Sequence, residues 1–416
     1  MILIFLTKIL NSNKPKLSDC KYKKREKYSL KKDTRIDFSI PVERRNTASM
    51  KWDKYKGRDI IPLWVADMDF CSPPAVIEAL QKRVDHGVFG YTIPPESLNT
   101  AVVKMLQADY GWVIEPQWLV WLPGLVTGLN VACRAVGEDN DDVMTAVPVY
   151  PPFLTAPENS RRRLVKVPLQ EKDNRWTFDF DRLESAITPD TRLFLLCNPH
   201  NPVGRIFSRE ELKALAMICE IHDIIICSDE IHCGLLLDED KAHLPTSTLD
   251  PEVAKRTITL MSPSKTFNLP GLGCAFAVIP DEKLRRRFVQ AKSGIVPLVN
   301  ALGFVAAEAA YLDCADWHAG LLEYLRGNRE TVARAIAHMP PLSMAPLEAT
   351  YLAWIDVRSA DLPNPVRFFE DAGVGLQDGI EFDGPGFVRL NFGCRRSLLE
   401  EALNRMKSAM DKHVGS

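Results

Sequence analysis

The 416-residue sequence lacks the features that mark several large classes of protein. A formal net charge of −2 leaves no excess of positive charge, so we expect neither a nucleic acid nor a membrane as partner. Its ten cysteines form no C-x-x-C pair and no Cys/His ligand spacing, which argues against a metal site. We interpret them as small buried side chains in a reducing cytoplasm. No internal repeat or low-complexity segment is present, and 46% hydrophobic with 25% charged residues is typical of a globular protein.

The amino-terminal stretch has no ordinary targeting pattern. Its first ten residues, MILIFLTKIL, are apolar but too few to span a membrane. They have no basic region before them and no small-residue cleavage site after them, and a lysine-rich stretch follows. We therefore interpret residues 1–33 as a disordered or artefactual extension, and we expect a cytoplasmic protein.

Helical patterns begin at Ser72. Ser72 before two prolines predicts an N-cap and the first turn of a helix. The apolar spacing predicts a second helix over Glu96–Tyr110, ending at Gly111. A third helix is predicted from Gly124 to Gly137.

Short apolar runs alternate with helices in the middle of the chain. They lie at Val143–Val147, Leu193–Cys197, Ile224–Cys227, Thr257–Met261 and Cys274–Ile279. Such continuous runs are typical of strands buried on both faces of a sheet. Ser208 and Glu211 form the capping box of a helix between the second and third runs. Strand, helix and strand in this order predict an α/β fold with a mainly parallel sheet.

The last part of the sequence predicts a smaller α+β domain. Its predicted elements are a long helical stretch over Ala301–Met339, strands at Tyr351–Val357 and Phe387–Phe392, and a closing helix from Ser397 to about His413. We expect residues 34–75 to form an N-terminal segment that joins this domain, residues 76–298 a large cofactor-binding domain, and residues 299–416 the small domain.

Polar residues follow three consecutive predicted strands. Asn201, Asp229 and Lys265 each come shortly after a strand, at the edge where open parallel sheets bind ligands. Alone, each has an ordinary interpretation: a turn asparagine, a helix-capping aspartate and a solvated lysine. Together they suit a pyridine cofactor. The aspartate keeps the pyridine nitrogen protonated, the asparagine donates to a phenolic oxygen, and the lysine forms an imine and moves a proton.

Three motifs carry a resemblance to a known family. They are Asn198-Pro-x-Asn201-Pro-x-Gly204-Arg205, Ser228-Asp229-Glu230-Ile231-His232 and Ser264-Lys265-Thr266-Phe267-Asn268. In order and approximate spacing the sequence resembles fold-type I pyridoxal-phosphate enzymes of the class I/II aminotransferase superfamily, from about Asp37 to the last helix. Further stretches resemble the MalY/PatB-type cystathionine β-lyases, which are carbon–sulfur β-lyases. These are Arg44-Arg45-x-Thr47-x-Ser49-x-Lys51-Trp52-Asp53, Leu63-Trp64-Val65-Ala66-Asp67-Met68-Asp69-Phe70 and His86-Gly87-Val88-Phe89-Gly90-Tyr91.

The resemblance implies an aspartate aminotransferase-like fold, pyridoxal 5'-phosphate as cofactor and a role for each matching residue. The implied cofactor-binding residues are Lys265 as the Schiff-base lysine, Asp229 at the pyridine nitrogen, Asn201 and His232 near the ring hydroxyl, Tyr150 over the ring, and Gly124, Leu125, Val126 and Ser262 at the phosphate. The implied substrate-binding residues are Arg389, which would bind the α-carboxylate, with Ala66 and Tyr91. Lys265 and Tyr91 are the implied catalytic residues, and Tyr91 would reach the neighbour's cofactor across a homodimer interface.

Two positions depart from the pattern of many aminotransferases. The position eight residues after Lys265 is Gly273, where those enzymes place an arginine on the phosphate. The residue before Gly124 is Pro123, which removes one possible N–H donor. Both departures concern the phosphate.

We therefore expect an enzyme that acts on a small amino acid. The favoured reaction is α,β-elimination of cystathionine or a related S-substituted cysteine to a thiol, pyruvate and ammonia. Because the two reactions share nearly every residue, an aminotransferase is the alternative. A regulatory or binding protein on the same fold is a third interpretation.

Overall fold

The computed structural model describes residues 36–415, so the predicted extension at residues 1–33 lies outside the described residues. Within this range the helices α1 to α13 are, in order, Met50–Asp53, Pro74–His86, Glu96–Tyr110, Leu125–Ala135, Pro151–Asn159, Phe180–Ser185, Arg209–Ile221, Pro251–Lys255, Glu282–Lys292, Ala301–Asp313, Ala315–Ala337, Pro365–Asp371 and Arg396–Val414. The strands β1 to β14 are, in order, Ile61–Pro62, Leu119–Leu122, Asp142–Val147, Arg163–Pro168, Gln170–Lys172, Arg175–Thr177, Thr191–Cys197, Ile225–Asp229, Thr257–Met261, Ala275–Val278, Leu352–Asp356, Val374–Gly375, Gln377–Asp378 and Phe387–Asn391.

The continuous apolar runs form the central sheet. Its seven strands lie in the order β2-β10-β9-β8-β7-β3-β4, and β10 alone runs antiparallel to its neighbours. Strands β3, β7, β9 and β10 are buried along almost their whole length because helices cover both faces of the sheet. The prediction of a mainly parallel α/β sheet is confirmed.

Two apolar cores hold the sheet between its helices. On one face, Leu129 of α4 and Phe288 of α9 pack with inward residues of β3 and β9. On the other face, Leu212 and Leu215 of α7 pack with residues such as Phe194. Because both faces are dry, polar groups of the sheet region can reach ligands only at the ends of the strands.

Most predicted helices form where the patterns place them. The capping box of Ser208 and Glu211 opens α7, and Gly111 closes α3 in the left-handed conformation. The predicted N-cap at Ser72 is wrong: Pro73 takes that position, and the Ser72 hydroxyl donates instead to the backbone oxygen of Asn268 at 3.0 Å. The predicted long helix over 301–339 is two helices, α10 and α11, with a break at Cys314.

A second, smaller sheet is formed by strands from the C-terminal part of the chain. Strands β11, β14 and β13 lie side by side, and β14 carries Arg389. The segment 63–70 follows β14 on one side, because the amide of Asn391 donates to Leu63 and the amide of Asp69 donates to Gly393, each at 2.8 Å. The predicted domain boundaries at residues 75 and 298 stay predictions.

Among residues 36–415, no helix is both long and apolar enough to cross a membrane. The nine cysteines in this range are free thiols, seven of them buried and only Cys71 exposed.

Candidate active site

The parallel register of the sheet brings the three motif loops together. Cys197 at the end of β7 pairs with Asp229 of β8, and Asp229 pairs with Leu260 near the end of β9. The loops that leave these strands carry Asn201 and Lys265. The predicted group of amide, carboxylate and amine is therefore placed at one edge of the sheet.

Asp229 is a buried carboxylate without a cationic partner. It is 4% exposed, and its Oδ1 accepts a hydrogen bond from the amide of Ile231 at 3.0 Å. Burial raises the pKa of Asp229 to about 7, although the amide of Ile231 and the charge of Lys265 act in the opposite direction. No ion pair to Asp229 exists among residues 36–415. A cationic group from outside the chain would supply the missing charge.

Lys265 follows β9, and its Nζ donates to the carbonyl oxygen of Ala66 at 2.7 Å. Burial and the charge of Arg389 lower the pKa of Lys265 to about 8, although the charges of Asp67 and Asp229 act in the opposite direction. A neutral amine is therefore accessible near physiological pH. Such an amine can attack a carbonyl carbon or accept a proton.

Arg389 of β14 is buried at 2% exposure and only partly satisfied. Its Nη1 donates to Asn201 Oδ1 at 2.9 Å, and its Nη2 donates to the Trp64 carbonyl at 3.1 Å and to the Gln377 side chain. Its Nε has no hydrogen-bond partner within the described residues. Burial lowers the pKa of Arg389 to about 10. An arginine with spare donors in a buried position is suited to a carboxylate.

His232 and Tyr150 complete the buried polar lining. The Nδ1 atom of His232 is buried without a partner in the described part of the chain, and burial holds the pKa of His232 well below its usual range. His232 is therefore a neutral ring with an unused polar atom. Tyr150 precedes α5, and its amide donates to the Asn201 carbonyl at 3.0 Å, which joins the tyrosine to the loop after β7.

The amino terminus of α4 has unpaired amides that suit an anion. Gly124 is its N-cap, no side chain caps the helix, and the amides of Leu125 and Val126 stand in its first turn. Such amides have no partner inside the helix and attract phosphate together with the helix dipole. Ser262 differs from the expectation, because its hydroxyl donates to the Cys274 carbonyl at 2.7 Å and contacts the Ser264 hydroxyl at the same distance. A Ser262–phosphate contact requires this hydroxyl to rotate.

The two departures from the aminotransferase pattern are linked in the structure. Gly273 has φ +57°, and a Cβ built on it would lie 2.9 Å from the carbonyl oxygen of Pro123. A side chain at position 273 would therefore be strained and would displace the loop before α4. An arginine cannot take this position while Pro123 lies where it does.

One predicted residue is not brought to the others. Tyr91 lies in a segment without helix or strand, its side chain is fully exposed, and its ring contacts none of the candidate residues. Within one chain Tyr91 is therefore not a part of the site.

The donor set fits pyridoxal 5'-phosphate. The unpaired buried carboxylate of Asp229 suits a protonated pyridine nitrogen, the amine of Lys265 suits an aldehyde, and the uncapped helix terminus suits a phosphate. No cluster of three or more His, Cys, Asp or Glu side chains in the described range is arranged to hold a metal ion.

Comparison with known proteins decides the family, since the family Aminotransferase class I and II matches residues 58–406. The chain belongs to this family. The cystathionine beta-lyase PatB of Bacillus subtilis (strain 168) is 38% identical over 388 residues, which cover 90% of this chain and all of PatB. The crystal structure of OvoB is 45% identical with a TM-score of 0.88, over 90% of this chain and 99% of OvoB. The crystal structure of cystalysin from Treponema denticola, which contains a pyridoxal 5'-phosphate cofactor, is 33% identical with a TM-score of 0.87, over 91% of this chain and 100% of cystalysin.

The class I/II aminotransferase membership, the likeness to PatB-type lyases and the fold class are thus confirmed. Two contributors to the site were not assigned from the sequence. Tyr351 donates from its hydroxyl to the Ala66 carbonyl at 3.0 Å. Gln377 pairs with Arg389 across β13 and β14, which places its side chain on the guanidinium. The two-residue strand β13 gives no sequence pattern that could have revealed Gln377.

Proposed function

We propose that the protein is a pyridoxal-phosphate-dependent carbon–sulfur β-lyase, which converts cystathionine or a related S-substituted cysteine to a thiol, pyruvate and ammonia. The observation that carries the proposal is the burial of both Lys265 and Asp229 at neighbouring strand ends, where the pKa of the amine is lowered and the pKa of the carboxylate is raised. Likeness to PatB, which is named a cystathionine beta-lyase, supports the choice of reaction.

Arg389 and Lys265 have separate roles in the elimination. When bound, pyridoxal 5'-phosphate supplies an electron sink for the pair left at Cα. Arg389 binds the substrate carboxylate through its spare donors and so fixes Cα relative to Lys265. The neutral amine of Lys265 takes the Cα proton. Loss of the Cβ–sulfur bond then expels the thiolate, which takes up a proton, and water hydrolyses the released enamine to pyruvate and ammonia.

The environment keeps the proton on the intended groups. Burial and the charges of Lys265 and Arg389 oppose the protonation of His232. The neutral His232 ring therefore does not compete with Lys265 for the substrate proton. Asp229 is held ionised once a cation faces it, since pairing offsets the burial that raises its pKa. These two effects leave Lys265 as the group that exchanges a proton with the substrate.

A pyruvate assay tests the reaction. The purified chain, loaded with pyridoxal 5'-phosphate, is incubated with L-cystathionine and no keto acid, and pyruvate is followed by its reduction with lactate dehydrogenase. We expect pyruvate and ammonia in equal amounts. Strict dependence on an added keto acid, with no ammonia released, would show an aminotransferase instead.

Two variants control the assay. Lys265→Ala removes the base, and general base removal lowers rates by about 10²–10⁴-fold. Lys292→Ala is the matched control, because Lys292, the last residue of α9, also has a lowered pKa but donates to the Trp121 carbonyl of β2 and not to a group at the ends of β7, β8 or β9. We expect Lys292→Ala to keep normal turnover. Equal turnover of Lys265→Ala and the wild type would refute the catalytic assignment.

The proposal includes a homodimer in which Tyr91 serves the partner's site. Three apolar side chains beside Tyr91 are also exposed in the single chain, namely Val88, Phe89 and Ile93. Exposed apolar clusters of this kind mark interaction surfaces. Mixing inactive Tyr91→Ala with inactive Lys265→Ala under exchange conditions should restore pyruvate release, because a mixed dimer has one site with both residues intact. A monomer by light scattering, with no recovery on mixing, contradicts the proposal.

A further inference from the structure

A buried cluster of charges lies outside the residues assigned to the reaction. Lys51 has no exposed surface, and its Nζ donates to Asp69 Oδ2 at 2.8 Å and to the Asp67 carbonyl at 3.3 Å. Arg44 contacts the carboxylates of Asp69 and Asp67, each at 2.6 Å, and Trp52 Nε1 donates to Asp69 at 2.9 Å. We call these five residues the Asp69 cluster. Its two cations balance its two carboxylates.

The pairing keeps Asp69 ionised in spite of burial. Burial acts to raise the pKa of Asp69, but the charge and hydrogen bond of Lys51, the indole of Trp52 and the charge of Arg44 outweigh it, so the pKa is lowered. Asp67 and Asp69 are therefore members of one ion-paired network.

The segment 63–70 that this cluster holds presents backbone oxygens to the active site. The Trp64 carbonyl accepts from Arg389 at 3.1 Å, and the Ala66 carbonyl accepts from Lys265 at 2.7 Å. This one short segment therefore supplies a hydrogen-bond acceptor to both the Arg389 guanidinium and the Lys265 amine.

No strand ladder fixes these carbonyls between residues 63 and 70, since β1 ends at Pro62. Two backbone hydrogen bonds join Leu63 and Asp69 to the β14 side, and side chains hold the carbonyls between them. Asn391 Nδ2 donates to the Val65 carbonyl and, at 2.7 Å, to the Asp67 carbonyl from the β14 side. Lys51 donates to the same Asp67 carbonyl from the other side, and its own carbonyl accepts from the Trp64 indole at 3.1 Å.

A buried ion pair is a poor stabiliser compared with apolar side chains of the same size, because desolvation offsets the attraction. In this cluster the ion pairs contribute geometry, because Lys51 and Arg44 each donate to more than one acceptor and so hold these acceptors in place. We propose that the Asp69 cluster positions the Ala66 carbonyl as the hydrogen-bond acceptor of the free Lys265 amine, so that Lys51 and Asp69 are positioning residues for proton transfer. The activity part of this inference rests on the proposed function.

The charge environment of Lys265 sets the design of the test. Asp67 and Asp229 raise its pKa and Arg389 lowers it. Lys51→Met alone removes a positive charge and Asp69→Asn alone a negative one, so each single variant changes the field as well as the geometry. The double variant Lys51→Met/Asp69→Asn leaves the net charge unchanged and isolates the geometry.

Two readouts are measured on the full chain. The first is the rate at which chain stripped of cofactor captures added pyridoxal 5'-phosphate, followed by absorbance between pH 6 and pH 10. The pH at which this rate is half of its maximum, called the midpoint below, reports the pKa of the Lys265 amine. The second is the kcat and KM for pyruvate release. In the double variant we expect the midpoint to fall by about half a unit or more, because the protonated amine loses its acceptor. We expect kcat to fall about tenfold to a hundredfold, with KM nearly unchanged.

The proposal would be overturned if the double variant has the midpoint and kcat of the wild type while the two single variants shift the midpoint in opposite directions. Charge alone would then explain the effects. Arg162→Met is the matched control: Arg162 is a buried cation that pairs with Asp139 and donates to the Gly137 carbonyl at 2.9 Å, at the opposite edge of the sheet. It should change the unfolding midpoint and neither readout.

If the double variant does not fold, Arg44→Gln gives the same decision, since the Arg44 side chain is 20% exposed. Loss of its positive charge alone would raise the Lys265 midpoint, so a fall supports positioning and a rise overturns it. If the wild type releases no pyruvate, the proposed lyase function fails while the capture midpoint still measures the cluster. If it does release pyruvate and the double variant has a normal midpoint, only the positioning role fails.

Discussion

The charge of Asp229 should make the folded chain less stable until a cofactor pairs with it. Burial raises its pKa from 3.8 to about 7. Between these values the folded chain keeps a proton that the unfolded chain has lost, so the free energy of unfolding falls as the pH rises through this window. A rise of about three units corresponds to about 4 kcal/mol, at about 1.4 kcal/mol per unit. The full cost is reached above pH 7.

Asp229→Asn removes this cost and keeps the shape of the side chain. In chain stripped of cofactor, we expect the variant to be more stable than the wild type at pH 8 by about 2–4 kcal/mol, with a gain less than half as large at pH 5. Urea unfolding followed by tryptophan fluorescence measures both values. With cofactor present the order should reverse, since the carboxylate then has its cationic partner, and pyruvate release should fall about a hundredfold or more. Lower stability of the stripped variant at pH 8 would refute the reasoning, because it would mean that Asp229 already has a favourable partner within the chain.

Three further outcomes follow from the same geometry. Arg389→Lys should raise the KM for cystathionine more than about tenfold, because a lysine cannot keep Asn201 and bind a carboxylate at two points; an unchanged KM contradicts the carboxylate role. Arg205→Met should lower the free energy of unfolding by about 1–3 kcal/mol, because Glu211 loses its buried cation while Glu348 keeps Lys241 and Arg175, and urea unfolding gives the value. The rate at which chain stripped of cofactor captures pyridoxal 5'-phosphate should rise with pH and level off above about pH 8, because only the neutral Lys265 amine attacks the aldehyde; a flat profile from pH 6 to pH 9 would contradict the lowered pKa of Lys265.

The strand-end residues could be predicted because their placement is local. A buried parallel strand reads as a continuous apolar run, and the polar residue that follows it must lie at the carboxyl edge of the sheet. Asn201, Asp229 and Lys265 follow three neighbouring strands, so the topology of the sheet alone brings them together. The start of α4 at Gly124 could be predicted for the same reason, since a helix start is a local signal.

The acceptor of the Lys265 amine could not be predicted in this way. The Ala66 carbonyl lies 199 residues away in sequence, and a backbone oxygen leaves no signature in residue type. The paired charges of Lys51 and Asp69 were present in stretches that matched the β-lyases, but their contact depends on how the segment 63–70 runs beside β14. The predicted N-cap at Ser72 failed for a related reason, because its hydroxyl bonds to a distant carbonyl in preference to the helix.

The sequence by itself determined the order of strands and helices, the ligand-binding edge and the chemical types that meet there, because apolar periodicity and the residues after each strand are written along the chain. The tertiary structure decided the protonation of those groups. Burial sets the pKa of Asp229 and of Lys265 in opposite directions, and it depends on every element packed around them. The folded chain also decided that the Ala66 carbonyl faces the Lys265 amine and that the Gln377 side chain contacts Arg389. The first contact joins residues far apart in the sequence, and the second involves a strand that has no sequence pattern.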